Sequence, residues 1–222
     1  MTKKNEAQKK EEIAKENDPG AREEASPDDL KKLEEEQERF RLHMGVAEQG
    51  KLYALDGDHR LALAYYREAM KMSVVAKDPE VFFRHYLDCV MESLEHMESY
   101  EEVLEYCDKA IRFYEEKPPP NPMAQLDLAN IHQRKGVIQQ KMEDREGAGE
   151  SFREAIKQAG EVSQEMPLAQ NLLRWIESHM HVDIPRIKAE QERTKYFIVR
   201  KDAVDSKKAV KLPNEKLMGT PF

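Results

Sequence analysis

Apolar residues recur along this chain at three- and four-residue spacing, the signature of helices with one buried face. Leu30, Leu33, Phe40, Met44 and Ala47 fall on one stripe, and predict a helix running to about Leu55. Leu61, Ala62, Tyr65, Ala69 and Met72 form a second stripe. Val81, Tyr86, Leu87, Val90, Met91 and Leu94 form a third; Val103, Leu104, Cys107, Ile111 and Tyr114 a fourth. A fifth helix is expected to run to about Met142, and a sixth carries Ala148, Phe152, Ala155 and Ile156. A seventh holds Leu168, Leu172, Trp175, Ile176 and Met180. The last, highly charged, ends in Tyr196-Phe197-Ile198-Val199.

Punctuation falls between the stripes. Ser26-Pro27-Asp28-Asp29 reads as a helix start, with Ser at the N-cap and Pro at the first helical position. Gly57-Asp58 reads as a stop followed by a cap, Asp78-Pro79-Glu80 as another cap, and Ser99-Tyr100-Glu101-Glu102 as a capping box. The prolines at 118, 119, 120 and 122 cannot lie inside a helix and predict a stiff connector capped by Asn121. Asp144 opens the sixth helix, Gly160 and Pro167 bracket the next break, and Asp183-Ile184-Pro185 restarts the chain. The organisation expected is a disordered charged tail over 1–25 and a helical domain over 26–185. That domain holds pairs at about 27–77, 79–117 and 122–160 and a capping helix at 167–182. A charged helix over 184–203 and a disordered tail over 204–222 complete the chain.

The pairs resemble one another. Gly50, Tyr53, Gly57, Asp58, Ala62, Tyr66 and Ala69 stand at the spacing of the tetratricopeptide repeat. Met91, Leu94, Tyr100, Val103, Cys107 and Ala110 take the matching places in a degenerate second copy, and Gly136, Asp144, Ala148, Phe152 and Ala155 those of a third. The copies lie 41 and 45 residues apart, from Ala62 to Val103 to Ala148. The usual period is about 34, so the chain looks like the long-helix variants of that family. The resemblance covers 41–160 well and 161–185 loosely. It implies an all-α fold: antiparallel helix pairs stacked as a short tetratricopeptide-like solenoid, with a C-terminal capping helix in which Trp175 closes the third pair. The competing arrangement is an irregular helical bundle or coiled coil.

Composition narrows the function classes. The chain has 222 residues, 36 % of them charged, and a net charge of -8. Residues 41–118 carry ten Lys or Arg against sixteen Asp or Glu. An acidic body argues against nucleic acid as a partner, since phosphate binding needs clustered cations. No apolar run approaches the about 20 residues of a membrane span. Two cysteines without a secretory segment do not make a disulfide framework, which points to a reducing, cytoplasmic setting.

No phosphate loop or nucleophile–base spacing occurs, so the chain is not expected to be an enzyme, and no cofactor is expected. His179-x-His181-x-Asp183 reads as a helix-end histidine pair rather than a metal site, because i and i+2 face apart on a helix. The resemblance implies a concave groove lined by the first helix of each pair. Carried over, its lining is Met44, Ala47, Lys51 and Ala54; then His85, Asp88, Glu92 and Glu95; then Asn130, Gln133, Val137 and Gln140, with Arg134 and Lys141 nearby. Chaperone-binding members of the family clamp a C-terminal carboxylate with Lys, Asn and Arg. Here Lys51 and Arg134 are the only cations near those places and the second pair offers acids, which argues against that clamp. The expected partner is another protein or peptide, bound through a basic or polar segment. The alternative site is the bulky run Tyr196-Phe197-Ile198-Val199. An adaptor or scaffold is the leading expectation. A dedicated cytosolic chaperone for a secreted or assembling protein is the second, and an enzyme without a recognisable motif the third.

Overall fold

The computed structural model describes residues 27–213 and 215, the side chains of 27–36 and 39–41 excepted. The tail over 1–25 and residues 216–222 lie outside the described residues. Among the described residues the structure is all-α, without strands. The helices are α1 (Pro27–Leu55), α2 (His59–Ala76), α3 (Glu80–His96), α4 (Tyr100–Glu116), α5 (Pro122–Lys141), α6 (Arg145–Gly160), α7 (Pro167–Glu177) and α8 (Ile184–Arg193). The chain divides into two units, Met1–Arg39 and Phe40–Phe222. The described part of the first is helix. The second holds the rest of α1 and all of α2 to α8.

Turns of one design join α1 to α2, α3 to α4 and α5 to α6, and the same closure, with Lys77, Ser163, His179 and Lys195 at positive φ, ends α2, α6, α7 and α8. Gly57, Glu98 and Glu143 take positive φ of 85°, 61° and 67°. In each turn that residue's N–H donates to the carbonyl three residues back, and the next N–H to the one five residues back. The pairs are Gly57 to Ala54 with Asp58 to Tyr53, Glu98 to Glu95 with Ser99 to Leu94, and Glu143 to Gln140 with Asp144 to Gln139. This satisfies the carbonyls left open at a helix C-terminus. The spacing of the three joining turns is that of the sequence copies. Turns this short return the chain antiparallel, so consecutive helices pack side by side as a helical repeat.

The small residues let the two helices of a pair approach closely. A Cβ on Gly50 would sit 2.8 Å from the Tyr66 ring, and one on Gly136 2.7 Å from the Phe152 ring. In each pair the second helix presses an aromatic ring onto a glycine of the first, flanked by fully buried Ala62 and Ala69, or Ala148 and Ala155. The middle pair inverts the sizes: buried Met91 takes the glycine place and Cys107 the aromatic one. The bulk at Met91 holds α3 and α4 further apart than α5 and α6.

Several caps differ from expectation. Asp58, Asn121, Asp144 and Asp183 accept from the N–H groups of Leu61, Ala124, Gly147 and Arg186 at 2.9–3.0 Å. Ser99 sits at its N-cap without a side-chain bond. Pro79, not Asp78, is the cap residue of α3. Asp78 turns instead to His43 Nε2 at 2.8 Å, and His43 Nδ1 meets the Tyr86 hydroxyl at 2.6 Å. On α7 the residues that bury are Leu168, Ala169 and Leu172. Trp175 is half-buried, packed against the apolar cluster that these residues join and under the Arg186 guanidinium.

The largest difference lies after α8. The charged helix expected over 184–203 ends at Arg193, where Lys195 turns the chain at φ 54°. Residues 194–213 continue as an extended segment with two turns, closed by Ala203 N–H to Arg200 O and Lys208 N–H to Asp205 O. Four adjacent bulky residues cannot share one helix face; outside a helix Val199 is buried and Tyr196, Phe197 and Ile198 are partly buried.

Candidate functional site

The extended segment forms a strap that lies against the first helix of every pair. Its anchors run in chain order from α5 to α3 to α1. Gln191, at the end of α8, donates to Glu95 Oε1 at 2.6 Å, and the Tyr196 hydroxyl to Glu95 Oε2 at 3.0 Å. Arg134 of α5 stacks over the Tyr196 ring, 5.4 Å from its centroid. The Ile198 N–H donates to Glu92 at 2.8 Å and the Val199 N–H to the same carboxylate at 3.3 Å. Further on, Asp205 N–H reaches Glu48 at 2.9 Å and Val210 N–H reaches the Gly45 carbonyl at 2.9 Å. Leu212 N–H meets the Tyr65 hydroxyl at 3.0 Å, and Glu215 is bound by the hydroxyls of Tyr53 and Tyr65. Phe197 packs on His96, which stacks on His59 with ring centroids 4.7 Å apart.

The electrostatics follow from burial. Glu95 is 2 % exposed and is held by Lys141 at 2.7 Å and by Arg134 at 3.7 Å as well as by Gln191 and Tyr196. A charge so deep needs this set of partners. Burial pushes the Tyr196 phenol well above its ordinary range, so it is a neutral donor to that carboxylate. Burial also raises Glu92 to about 7, against the opposing pull of the Ile198 and Val199 N–H groups. His85 is lowered to about 4 by burial and by the nearby Lys51 charge.

The groove residues expected from sequence separate into three groups. Glu92, Glu95, Arg134 and Lys141 converge under the strap. Lys51 pairs with Glu48 at 2.7 Å, the residue that takes Asp205 N–H. His85, Asp88 and Asn130 line a neighbouring cleft between α3 and α5, with no strap residue among its walls. Asp88 there leans on Arg134 at 3.6 Å. Gln133, Gln140 and Val137 serve the helices instead. Gln133 accepts from the Ala169 N–H at the start of α7, Gln140 is buried, and Val137 is a fully buried core residue. The alternative run Tyr196-Phe197-Ile198-Val199 is not a separate surface, because it is what occupies the groove.

Sequence reasoning passed over Gly45 and Glu48. A Cβ at Gly45 would stand 2.5 Å from Val210 Cγ2 and 2.7 Å from the Lys208 carbonyl, so the strap crosses α1 where a side chain is missing. The signal was there: a glycine inside a helix costs about 1 kcal/mol relative to alanine and asks for a reason. Glu48 carried none, being one acid among many.

Other chemistry is sparse. His179 takes φ 56° in the turn after α7, so the histidine pair sits in irregular chain rather than on a helix. Among the described residues no group of three or more His, Cys, Asp or Glu is placed to hold a metal. Cys89 and Cys107 are free and fully buried, and burial raises the Cys107 thiol to about 12 and Cys89 still higher, so neither is a ready nucleophile. Among the described residues no helix is long and apolar enough to cross a membrane. Comparison with protein families, with characterised proteins and with solved structures returned no significant match.

Proposed function

We propose that this protein is a non-catalytic protein–protein interaction module of the tetratricopeptide-repeat kind, an adaptor or scaffold working in the cytoplasm. Its receiving surface is the face of α1, α3 and α5, and its ligand is an extended polypeptide segment. One observation carries this reading. That face already holds such a segment, gripping its backbone through Glu92, Glu48 and the Gly45 carbonyl and its Tyr196 side chain through Glu95 and Arg134. Main-chain N–H groups met by fixed acceptors give affinity for extended chain of many sequences, while side-chain seats select among them. The strap is then an internal ligand, and a partner gains access by presenting the same features: an aromatic hydroxyl, two following aliphatic residues and free N–H groups. The buried, unreactive thiols support a non-catalytic role in a reducing compartment.

The test uses a fluorescent peptide spanning 194–215. It is expected to bind a chain that ends at Arg193 and to be excluded from the full chain until Tyr196→Ala and Val199→Ala, in the strap itself, loosen it. Failure to bind either loosened form, with helicity intact by circular dichroism, would remove the groove as a receiving surface.

A further inference from the structure

A second surface lies outside the strap. Because Met91 and not glycine stands between α3 and α4, the two helices splay, and a cleft of about 230 Å³ opens between them above α5. Phe83, Leu87, Met91, Tyr106, Phe113 and Ile131 wall it. Its lining is apolar, and the cleft is smaller than the roughly 300–1,000 Å³ of a small-molecule site, so it is suited to a single bulky side chain. Bulky groups crowd its surroundings in the open: Phe113 is 46 % exposed, Val81 48 % and Met123 71 %.

The rim is charged. Glu80, Asp88 and Asp127 stand around Arg84, which pairs with Glu80 at 2.8 Å and also with Asp127 and the Tyr114 hydroxyl. Tyr114 in turn donates to Asp127 at 2.7 Å. Three carboxylates meet one guanidinium, so the mouth keeps a negative excess even with Arg134 leaning on Asp88. Glu80, with 72 % of its side chain exposed, can turn from Arg84 toward an incoming cation. The neighbouring helix carries Glu101, Glu102, Glu105, Glu115 and Glu116 against Lys109 and Arg112, with Lys117 over the Phe113 ring 5.4 Å from its centroid, and so still leaves a negative balance.

We infer that the α3–α4–α5 cleft is a docking site for a protein segment that inserts one large apolar side chain and flanks it with lysine or arginine. The apolar slot supplies the anchor, as buried hot spots do in interfaces, and the acidic rim selects the charge of the flanks and speeds encounter. The site shares no residue with the strap's anchors, so it stands or falls independently of the strap groove.

The experiment selects random dodecapeptides displayed on phage against the full-length chain. Clones are counter-selected on Ala110→Phe, which fills the slot from α4, and rescued clones are measured as free peptides. Enriched clones are expected to carry Phe, Trp, Leu or Met beside Lys or Arg. They should lose at least tenfold in affinity on Ala110→Phe and on the exposed Glu80→Lys, keep it on Gly45→Ala, and weaken as salt rises from about 0.1 to 1 M. Two results would overturn the inference: no clone that distinguishes Ala110→Phe from wild type, or clones whose flanks are acidic or neutral. Clones that bind more tightly once Tyr196→Ala and Val199→Ala free the strap groove belong to that groove and count against this cleft.

Discussion

Single atoms decide where these helices can touch. The Cβ missing from Gly50 is the space that the Tyr66 ring fills. Gly50→Ala is therefore expected to cost about 1–3 kcal/mol of unfolding free energy in urea, as overpacking does. Gly160 ends α6 with nothing within 4 Å of where a Cβ would stand, and Gly160→Ala should gain about 0.5–1 kcal/mol. Equal effects at the two sites would dissolve the close-approach argument. Glu92 makes a pH prediction. Its folded pKa of about 7 lies above the ordinary carboxylate value, so its contribution is fully present below about 4.5 and is lost as pH rises through 7. Glu92→Gln keeps an acceptor for the strap and never ionises. Its stability relative to wild type should improve between pH 5 and 8 by up to about 3 kcal/mol. A flat difference across that range would mean that the carboxyl is ionised throughout.

Among the elements, the three helix pairs share one turn, yet only the first uses glycine at the positive-φ position. Glu98 and Glu143 adopt it because the two hydrogen bonds that close each helix, together with the packing of the pair, outweigh the cost of about 1 kcal/mol to a side-chain-bearing residue. The strap has no such internal ladder. It is held by acceptors on other elements, so its parts can be loosened one at a time. Gly45→Ala pushes on Val210 and Lys208 while facing no other helix. Amide exchange at Val210 and Leu212 should speed up at least tenfold while far-ultraviolet dichroism stays constant. Unchanged protection there would mean that the strap does not depend on this crossing.

At the scale of the second unit, the strap joins what the helices leave separate. Three apolar clusters form: one around α1 and α2, one in the middle, one around α6 to α8. The strap contributes Leu212 to the first, Ile198, Val199 and Val204 to the second, and Tyr196 to the third. Ending the chain at Arg193 exposes all three, takes both backbone donors from Glu92 and removes the Tyr196 hydroxyl from Glu95. The loss is expected to reach at least about 3 kcal/mol, read as a lower urea midpoint. The 194–215 peptide added in trans should recover part of it in proportion to its concentration. A truncated chain as stable as the whole would make the strap a passenger.

The sequence by itself determined the helices, their pairing and their period. Those features rest on local signals: apolar residues at 3.6 spacing, small and aromatic residues recurring at the repeat spacing, caps of Asp and Asn. That the Tyr66 ring lands on Gly50 and the Phe152 ring on Gly136, within one pair rather than against the next, is seen only in the structure. The acidic wall of Glu92 and Glu95 was legible, being one face of one helix. What faces that wall was not. Tyr196 and Glu95 are separated by 101 residues, and no periodicity relates them. The run Tyr196-Phe197-Ile198-Val199 looked like the end of a helix or a free surface, since its burial depends on a groove assembled from three distant helices. Residues 204–213 are too poor in apolar content to predict order. They are placed by backbone hydrogen bonds to Glu48, Gly45 and Tyr65, and a backbone N–H is the same in every sequence. Only the tertiary structure brings acceptor and segment together, and so only it decides that the groove is already filled.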